Sequence, residues 1–287
     1  MIYTINNCIR AFGYTNFDKL IEDKGSIDGL KEYVRANGYA DIAVGEDTEL
    51  LLVDVNGKTW HTGCYGAKLN EYLCFTSTGN STVKIKHNGT PSKSAGKVIQ
   101  YKLNDGQWQN FDLSAVTLSA GDKMYLKSDD EIPISESPSI YKQFVMTGSI
   151  AASGNIMSLL NFSDTLTDYA FYRLFDNCTS LTQAPELPVT TLATSCYYYM
   201  FSSCTSLTQA PELPATTLTN ACYAYMFYYC KKLNYVKALF TDISAPECLI
   251  GWLYSVSSTG IFVKNSAATW TNEQAKIPSG WTVQTEV

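Results

Sequence analysis

Along residues 170–256 the apolar side chains fall into columns that return every 26 residues. Ala170, Cys196, Cys222 and Cys248 form one column, and Leu174, Met200, Met226 and Trp252 a second. Phe175, Phe201, Phe227 and Leu253 form a third, Cys178, Cys204, Cys230 and Val256 a fourth, and Leu181, Leu207 and Leu233 a fifth. Positions that stay apolar through several periods point into a core, and positions that drift face water. A fixed period of this size predicts a solenoid, in which each unit buries its apolar side only by stacking on the next. The block Cys178–Leu192 returns as Cys204–Leu218 with one change, Val189 to Ala215. The array spans about residues 155–264, with degenerate ends that cap the stack.

Each unit reads as a short strand, a turn, then a helical or irregular segment. Leu181–Ala184, Leu207–Ala210 and Leu233–Val236 are the strand candidates and predict a parallel sheet along one face. Pro185 and Pro188 stop any helix or central ladder after the first of them. Cys196, Met200 and Cys204 stand four apart, one side of a helix-like turn.

Upstream the pattern changes. Asn16 and Ser26 are positioned to cap helices near residues 17–23 and 27–36, and Asn37-Gly38 ends the second. Residues 49–55 and 58–63 flank Asn56-Gly57, a type I′ hairpin signal. Strands are predicted at 72–77, 82–87, 98–103, 123–127 and 144–147, between Gly- and Asn-bearing turns. That spacing suggests a β-sandwich. The chain is therefore read as multidomain. A small α+β N-terminal unit covers 1–67 and a β-sandwich-like middle domain 68–150. A solenoid with a parallel sheet covers 151–264, and a C-terminal cap 265–287.

The run Tyr199-Met200-Phe201-Ser202-Ser203-Cys204-Thr205-Ser206-Leu207-Thr208, with a proline downstream, resembles the BspA-type leucine-rich repeat. Met200 stands where that family usually has a small residue, and the unit here is longer, with two prolines. Residues 277–283, Ile-Pro-Ser-Gly-Trp-Thr-Val, resemble the C-terminal cap of such proteins from gut Bacteroidales and their phages. Residues 119–123 and 152–160 resemble stretches found beside these repeats in the same proteins. The resemblance implies a leucine-rich-repeat fold and, for function, surface recognition.

The formal charge of −6 is spread as −4 over residues 1–67, +1 over 68–150 and −3 over 151–287. No basic patch stands out, which argues against nucleic-acid binding. From Cys178 to Cys230 the only charged residues are Glu186 and Glu212, which suits a neutral, hydroxyl-rich ligand face. Six of the nine cysteines sit in two columns, so they read as small buried hydrophobes rather than as a disulfide framework. Residues 1–13 lack the apolar core of a secretory signal, and no stretch reaches membrane-spanning length. The expectation is a protein made in the cytoplasm and built into a larger particle there.

Candidate chemistry is sparse. His61 and Cys64 lie in one short stretch without an orienting third residue, so a hairpin-end histidine is the better reading. His87 precedes an Asn-Gly turn and is expected to be exposed. A calcium loop starting at Asp54 fails at Tyr65, where a bidentate Glu is required. Asp129-Asp130-Glu131 reads as a solvated loop. No catalytic, cofactor or metal residues are assigned.

The tyrosines are more informative, since ten of twenty lie between Tyr169 and Tyr235. With Met200 and Phe201 inward, Tyr197, Tyr198, Tyr223, Tyr228 and Tyr229 are expected outward, as rigid amphipathic anchors for a ligand. The strand face would show Gln183, Glu186, Gln209 and Glu212 as a hydrogen-bonding ladder. The expected function is a non-enzymatic bacteriophage virion protein of tail or head fibre type. Its repeat would recognise a host cell-surface glycan or protein, and residues 1–67 would attach to other virion proteins. The alternative is a bacterial adhesin, at the cell surface or secreted, that binds host protein or glycan. No nucleic acid or membrane insertion is expected. Homo-oligomerisation, a trimer included, is left open.

Overall fold

The structure, a computed structural model, describes Arg35, the backbone of residues 41–44, 49–53 and 59–65, and residues 72–90 and 96–286. The chain divides into two compact units, Met1–Glu71 and Tyr72–Val287. Among the described residues it is mostly β, with essentially no helix and no closed barrel.

In the first unit, β1 (Asp41–Val44), β2 (Glu49–Val53) and β3 (Thr59–Tyr65) form an antiparallel sheet. Val53 pairs with Thr59 and Leu52 with Trp60, so the expected hairpin forms, but one residue off the register that a two-residue type I′ turn at Asn56-Gly57 would set. The helices expected near 17–23 and 27–36 lie outside the described residues, except that Arg35 is helical.

The second unit starts with two sheets. One has the order β10 (Tyr141–Thr147), β5 (Ser81–Asn88), β8 (Val116–Leu118). The other runs β12 (Leu181–Gln183), β11 (Ile150–Ser153), β4 (Leu73–Ser77), β9 (Lys123–Lys127), β6 (Gln100–Leu103), β7 (Gln109–Asn110). β5 alternates as the pleat requires, with Val83 and Ile85 buried and Lys84 and Lys86 exposed. The buried faces meet at Phe75 of β4 and Phe144 of β10, ring centroids 5.1 Å apart and edge to face.

From Tyr169 onward the chain coils in stacked rungs whose backbone repeats every four residues. Tyr169, Arg173 and Asn177 have positive φ, as do Ser195, Tyr199 and Ser203, then Ala221, Tyr225 and Tyr229, then Glu247, Gly251 and Ser255. Amide groups alternate in use. The N–H groups of residues 170, 172, 174, 176 and 178 bond three residues back, closing turns. Those of 169, 171, 173, 175 and 177 donate to the carbonyls of 194, 196, 198, 200 and 202 on the next rung. The same row recurs from 195–203 to 220–228 and from 221–229 to 246–254. A left-handed backbone costs a non-glycine residue about 1–2 kcal/mol. The inter-rung bonds and the buried columns offset that strain.

All five apolar columns are buried over rungs one to three. Phe144 extends the phenylalanine column: the rings of Phe144 and Phe175, Phe175 and Phe201, and Phe201 and Phe227 lie 5.2, 5.3 and 5.7 Å apart. β10 thus acts as the rung before the first. Its Phe144 carbonyl accepts the Cys178 thiol at 3.2 Å, as Phe175 accepts Cys204 and Phe201 accepts Cys230. One core runs from the two sheets through the rungs.

The parallel sheet does not run through the three expected segments. Leu181–Gln183 pairs backward with β11, whereas Gln209 bridges forward to Tyr235. The forward sheet is β13 (Tyr235–Ala238), β14 (Gly260–Lys264) and β15 (Trp281–Thr285), all parallel. Pro185, Pro188, Pro211 and Pro214 remove N–H groups just past the first two of the expected segments, which keeps each ladder short. Residues 265–287, set apart in sequence as a cap, supply β15. Indole N–H groups of Trp252, Trp270 and Trp281 fasten this end to the carbonyls of Ala275, Phe240 and Ser257.

Candidate functional site

The four-residue turn decides which tyrosines reach the surface. Tyr197 stands four residues before Phe201, and Tyr223 four before Phe227, so each shares the inward phase of its phenylalanine. Both are buried, which corrects the expectation that they face outward. Tyr197 stacks between Phe171 and Tyr223, at 5.9 and 6.0 Å. Burial, and then the neighbouring cysteines, hold both phenols well above their ordinary acidity range.

Tyr198 and Tyr228 are half-buried and Tyr229 is exposed, as expected. The structure joins them to tyrosines that the sequence reading passed over. Tyr172 stacks on Tyr198 at 5.5 Å, Tyr199 on Tyr225 at 4.8 Å, and Tyr228 on Tyr254 at 5.2 Å. Edge contacts link the three stacks: Tyr198 to Tyr199 at 4.9 Å, and Tyr225 to Tyr228 at 5.6 Å. The result is a diagonal stripe across the turn face, from Tyr172 on the first rung to Tyr254 on the fourth. The signal that would have found it is the four-residue phase, which sets Arg173, Tyr199, Tyr225 and Gly251 in one outward column.

Two features stiffen the stripe. The Arg173 guanidinium lies 4.1 Å from the Tyr199 ring centroid, and its Nη1 donates to Asp176 Oδ2 at 2.6 Å. A Cβ at Gly251 would come within 2.5 Å of the Tyr225 ring, so the glycine is what allows that ring to lie flat on the next rung. Burial first, and then the adjacent tyrosines, push the Tyr198 phenol up to about 12. That hydroxyl therefore remains a neutral hydrogen-bond donor and acceptor over any physiological pH. Because the rings stack along the rungs, the surface presents ring edges and hydroxyls more than open faces.

The strand-face residues are not one ladder. Gln183, Glu186, Gln209 and Glu212 are all exposed. Gln183 belongs to the sheet that runs back to β11, whereas Gln209 bridges forward to Tyr235. Glu212 pairs with Lys237 at 3.1 Å, and Lys237 also meets Glu286 at 2.7 Å. This face therefore carries a charge cluster at one end.

Elsewhere, Asp130 of the acidic run holds the buried Lys97 ammonium at 2.9 Å, and Asp129 holds Lys127 at 2.8 Å. His87 is exposed, and burial followed by the charge of Lys142 lowers its pKa. His61 and Cys64 lie on β3, described only as backbone. Among the described residues no three His, Cys, Asp or Glu side chains converge as metal ligands, and no helix is long and apolar enough to cross a membrane. No family model, curated protein or solved structure matches the chain.

Proposed function

We propose that this protein is a non-enzymatic recognition protein of a bacteriophage particle, of tail or head fibre type. Its rungs form a leucine-rich-repeat solenoid, the sheets before them a sandwich-like support, and the turn face contacts the host surface. Residues 1–67 attach to other virion proteins. The tyrosine stripe carries the reading. It stacks six rings, five of them at least partly exposed, beside a single Arg173–Asp176 pair, and it is held by backbone bonds from rung to rung. Tyrosine anchors of this kind bind protein and glycan alike, with little rotamer entropy to lose. The virion setting rests on the resemblance of residues 119–123, 152–160 and 277–283 to gut-phage and Bacteroidales proteins.

The test uses substitutions that the fold already contains. Ala224, Ser202 and Ser203 occupy the columns of Tyr198, Tyr228 and Tyr229 on neighbouring rungs. The triple variant Tyr198→Ala, Tyr228→Ser, Tyr229→Ser is expected to reduce binding to gut Bacteroidales cells roughly thirtyfold or more, the cost of one lost anchor of about 2 kcal/mol. Gln183→Ala with Gln209→Ala is expected to leave binding unchanged. The reverse pattern would move recognition to the strand face.

A further inference from the structure

The two sheets before the rungs carry a feature of their own. At one end of the space between them lies a hollow of about 240 Å³, room for about eight water-sized groups at ~30 Å³ each. Ile85, Ile99 and Phe111 form its apolar floor and are buried. Val98 and Leu113 stand at its rim, 46% and 55% exposed, as large apolar side chains that the fold leaves in water.

Charge enters this hollow from the sheet of β5 and β10. Lys142 and His87 are direct partners across those two strands, so both side chains leave the sheet on one face. Alternation fixes which face. His87 stands two residues past Ile85, and Lys142 two before Phe144, and both of those apolar residues are buried. Lys142 and His87 accordingly line the hollow. Lys142 is 4% exposed, at an inward position where the pattern calls for an apolar residue. Lys97, also in the lining, donates to the Asp130 carboxylate at 2.9 Å and to its carbonyl at 3.0 Å. Burial and then the charge of Lys97 bring Lys142 down to about 8, and burial and then the charge of Lys142 lower His87. Glu136 and Asp130 act on Lys142 in the opposite sense and more weakly. Asp112, the acid in the lining, is turned to its own loop, where its Oδ1 accepts the Ser114 N–H at 2.6 Å.

We infer that this hollow binds a small monocarboxylate, its carboxylate on Lys142 and His87 and its apolar body on Ile85, Ile99 and Phe111. The proposal is independent of the recognition reading, since the hollow lies in the sheets and not on the rungs. A hydrogen bond between an ammonium and a carboxylate is worth most where water is excluded. A carboxylate at this point also offsets the repulsion between Lys142 and Lys97. The volume admits an apolar body of about six carbons, and Val98 and Leu113 give its outer end apolar cover.

Hexanoate and its neutral counterpart hexanamide are the probes, titrated into the full chain by calorimetry at pH 7 and pH 9. Hexanoate is expected to bind about tenfold more tightly than hexanamide at pH 7. Its carboxylate is ionised at both pH values, whereas Lys142 is mostly neutral at pH 9, so the advantage should all but vanish there while hexanamide binds equally at both. Lys142→Met should remove the advantage at pH 7 and leave hexanamide binding in place. Each methylene added between acetate and hexanoate should tighten binding about fourfold. Hexanoate that does not bind, binds no better than hexanamide, or keeps its advantage at pH 9 or in Lys142→Met would overturn the proposal. So would acetate or inorganic phosphate binding as tightly as hexanoate, the mark of a bare cationic patch. The pH and chain-length series use the unaltered protein, so they decide the matter even where Lys142→Met does not fold.

Discussion

Phe201→Ala should destabilise the second unit by about 3–5 kcal/mol, through lost transfer energy and the cavity that remains. Phe201 is fully buried and stacks on both sides, 9° from parallel with Phe175 and 3° with Phe227. Its rung is held above and below by rows of backbone bonds, so the neighbours cannot collapse into the gap without breaking those rows. Its amide donates to the Met226 carbonyl and its carbonyl accepts the Cys230 thiol, so the backbone is tied to the next rung at this point. Chemical denaturation of wild type and variant measures the loss. A change of less than about 1 kcal/mol, the level of a surface substitution, would contradict the stacked-core account.

Stability should also collapse in alkali. Burial holds the thiols of Cys178, Cys204 and Cys230 up, the last to about 12, and holds the phenols of Tyr197 and Tyr223 above their usual range. In the unfolded chain a thiol ionises near 8.5 and a phenol near 10. Each group is an acid whose folded pKa is raised. Its contribution is therefore complete below the unfolded value and is lost as pH rises through the folded one. Three thiols together remove about 4 kcal/mol per pH unit above roughly pH 9, and the two phenols steepen the fall above about 10. Lys142 acts in the opposite sense. Burial and the charge of Lys97 bring it down to about 8, so its cost is relieved as pH rises from about 8 to 10. Urea melts at pH 8, 9, 10 and 11 should show a fall that begins near 9. In parallel, the seven buried cysteines among the described residues should resist alkylation at pH 8 until the chain unfolds. A flat profile to pH 11, or rapid native alkylation of these seven, would contradict the buried columns.

The columns were readable in the sequence because a 26-residue identity reports which side chains share an environment, whatever the local backbone. The hairpin at Asn56-Gly57 and strands β4, β5, β6, β9 and β10 were readable from alternation and turn residues. The direction of Tyr197 was not. It depends on a four-residue turn with one positive-φ residue in each, and Tyr, Arg, Ser and Ala at those positions give no glycine signal. Treating Tyr197 apart from Phe201, four residues on, placed it outside; the shared phase puts both in the core. The stripe was half-readable for the same reason, with Tyr198, Tyr228 and Tyr229 found and Tyr172, Tyr199, Tyr225 and Tyr254 missed. The role of β10 as the rung that templates the array was hidden, because Phe144 lies 31 residues before Phe175 rather than 26.

Recognition through the turn face is the central claim, and tyrosine oxidation footprinting on bound cells tests it most directly. The protein is exposed to hydroxyl radicals free and bound to gut Bacteroidales cells, and modification is read for each tyrosine by mass spectrometry. The account predicts that Tyr198, Tyr199, Tyr225, Tyr228 and Tyr254 are protected on binding, while Tyr101 and Tyr125 of the upstream sheets are modified equally in both states. Equal modification of the five stripe tyrosines in the two states, with protection confined to the strand face around Gln209 and Tyr235, would contradict it.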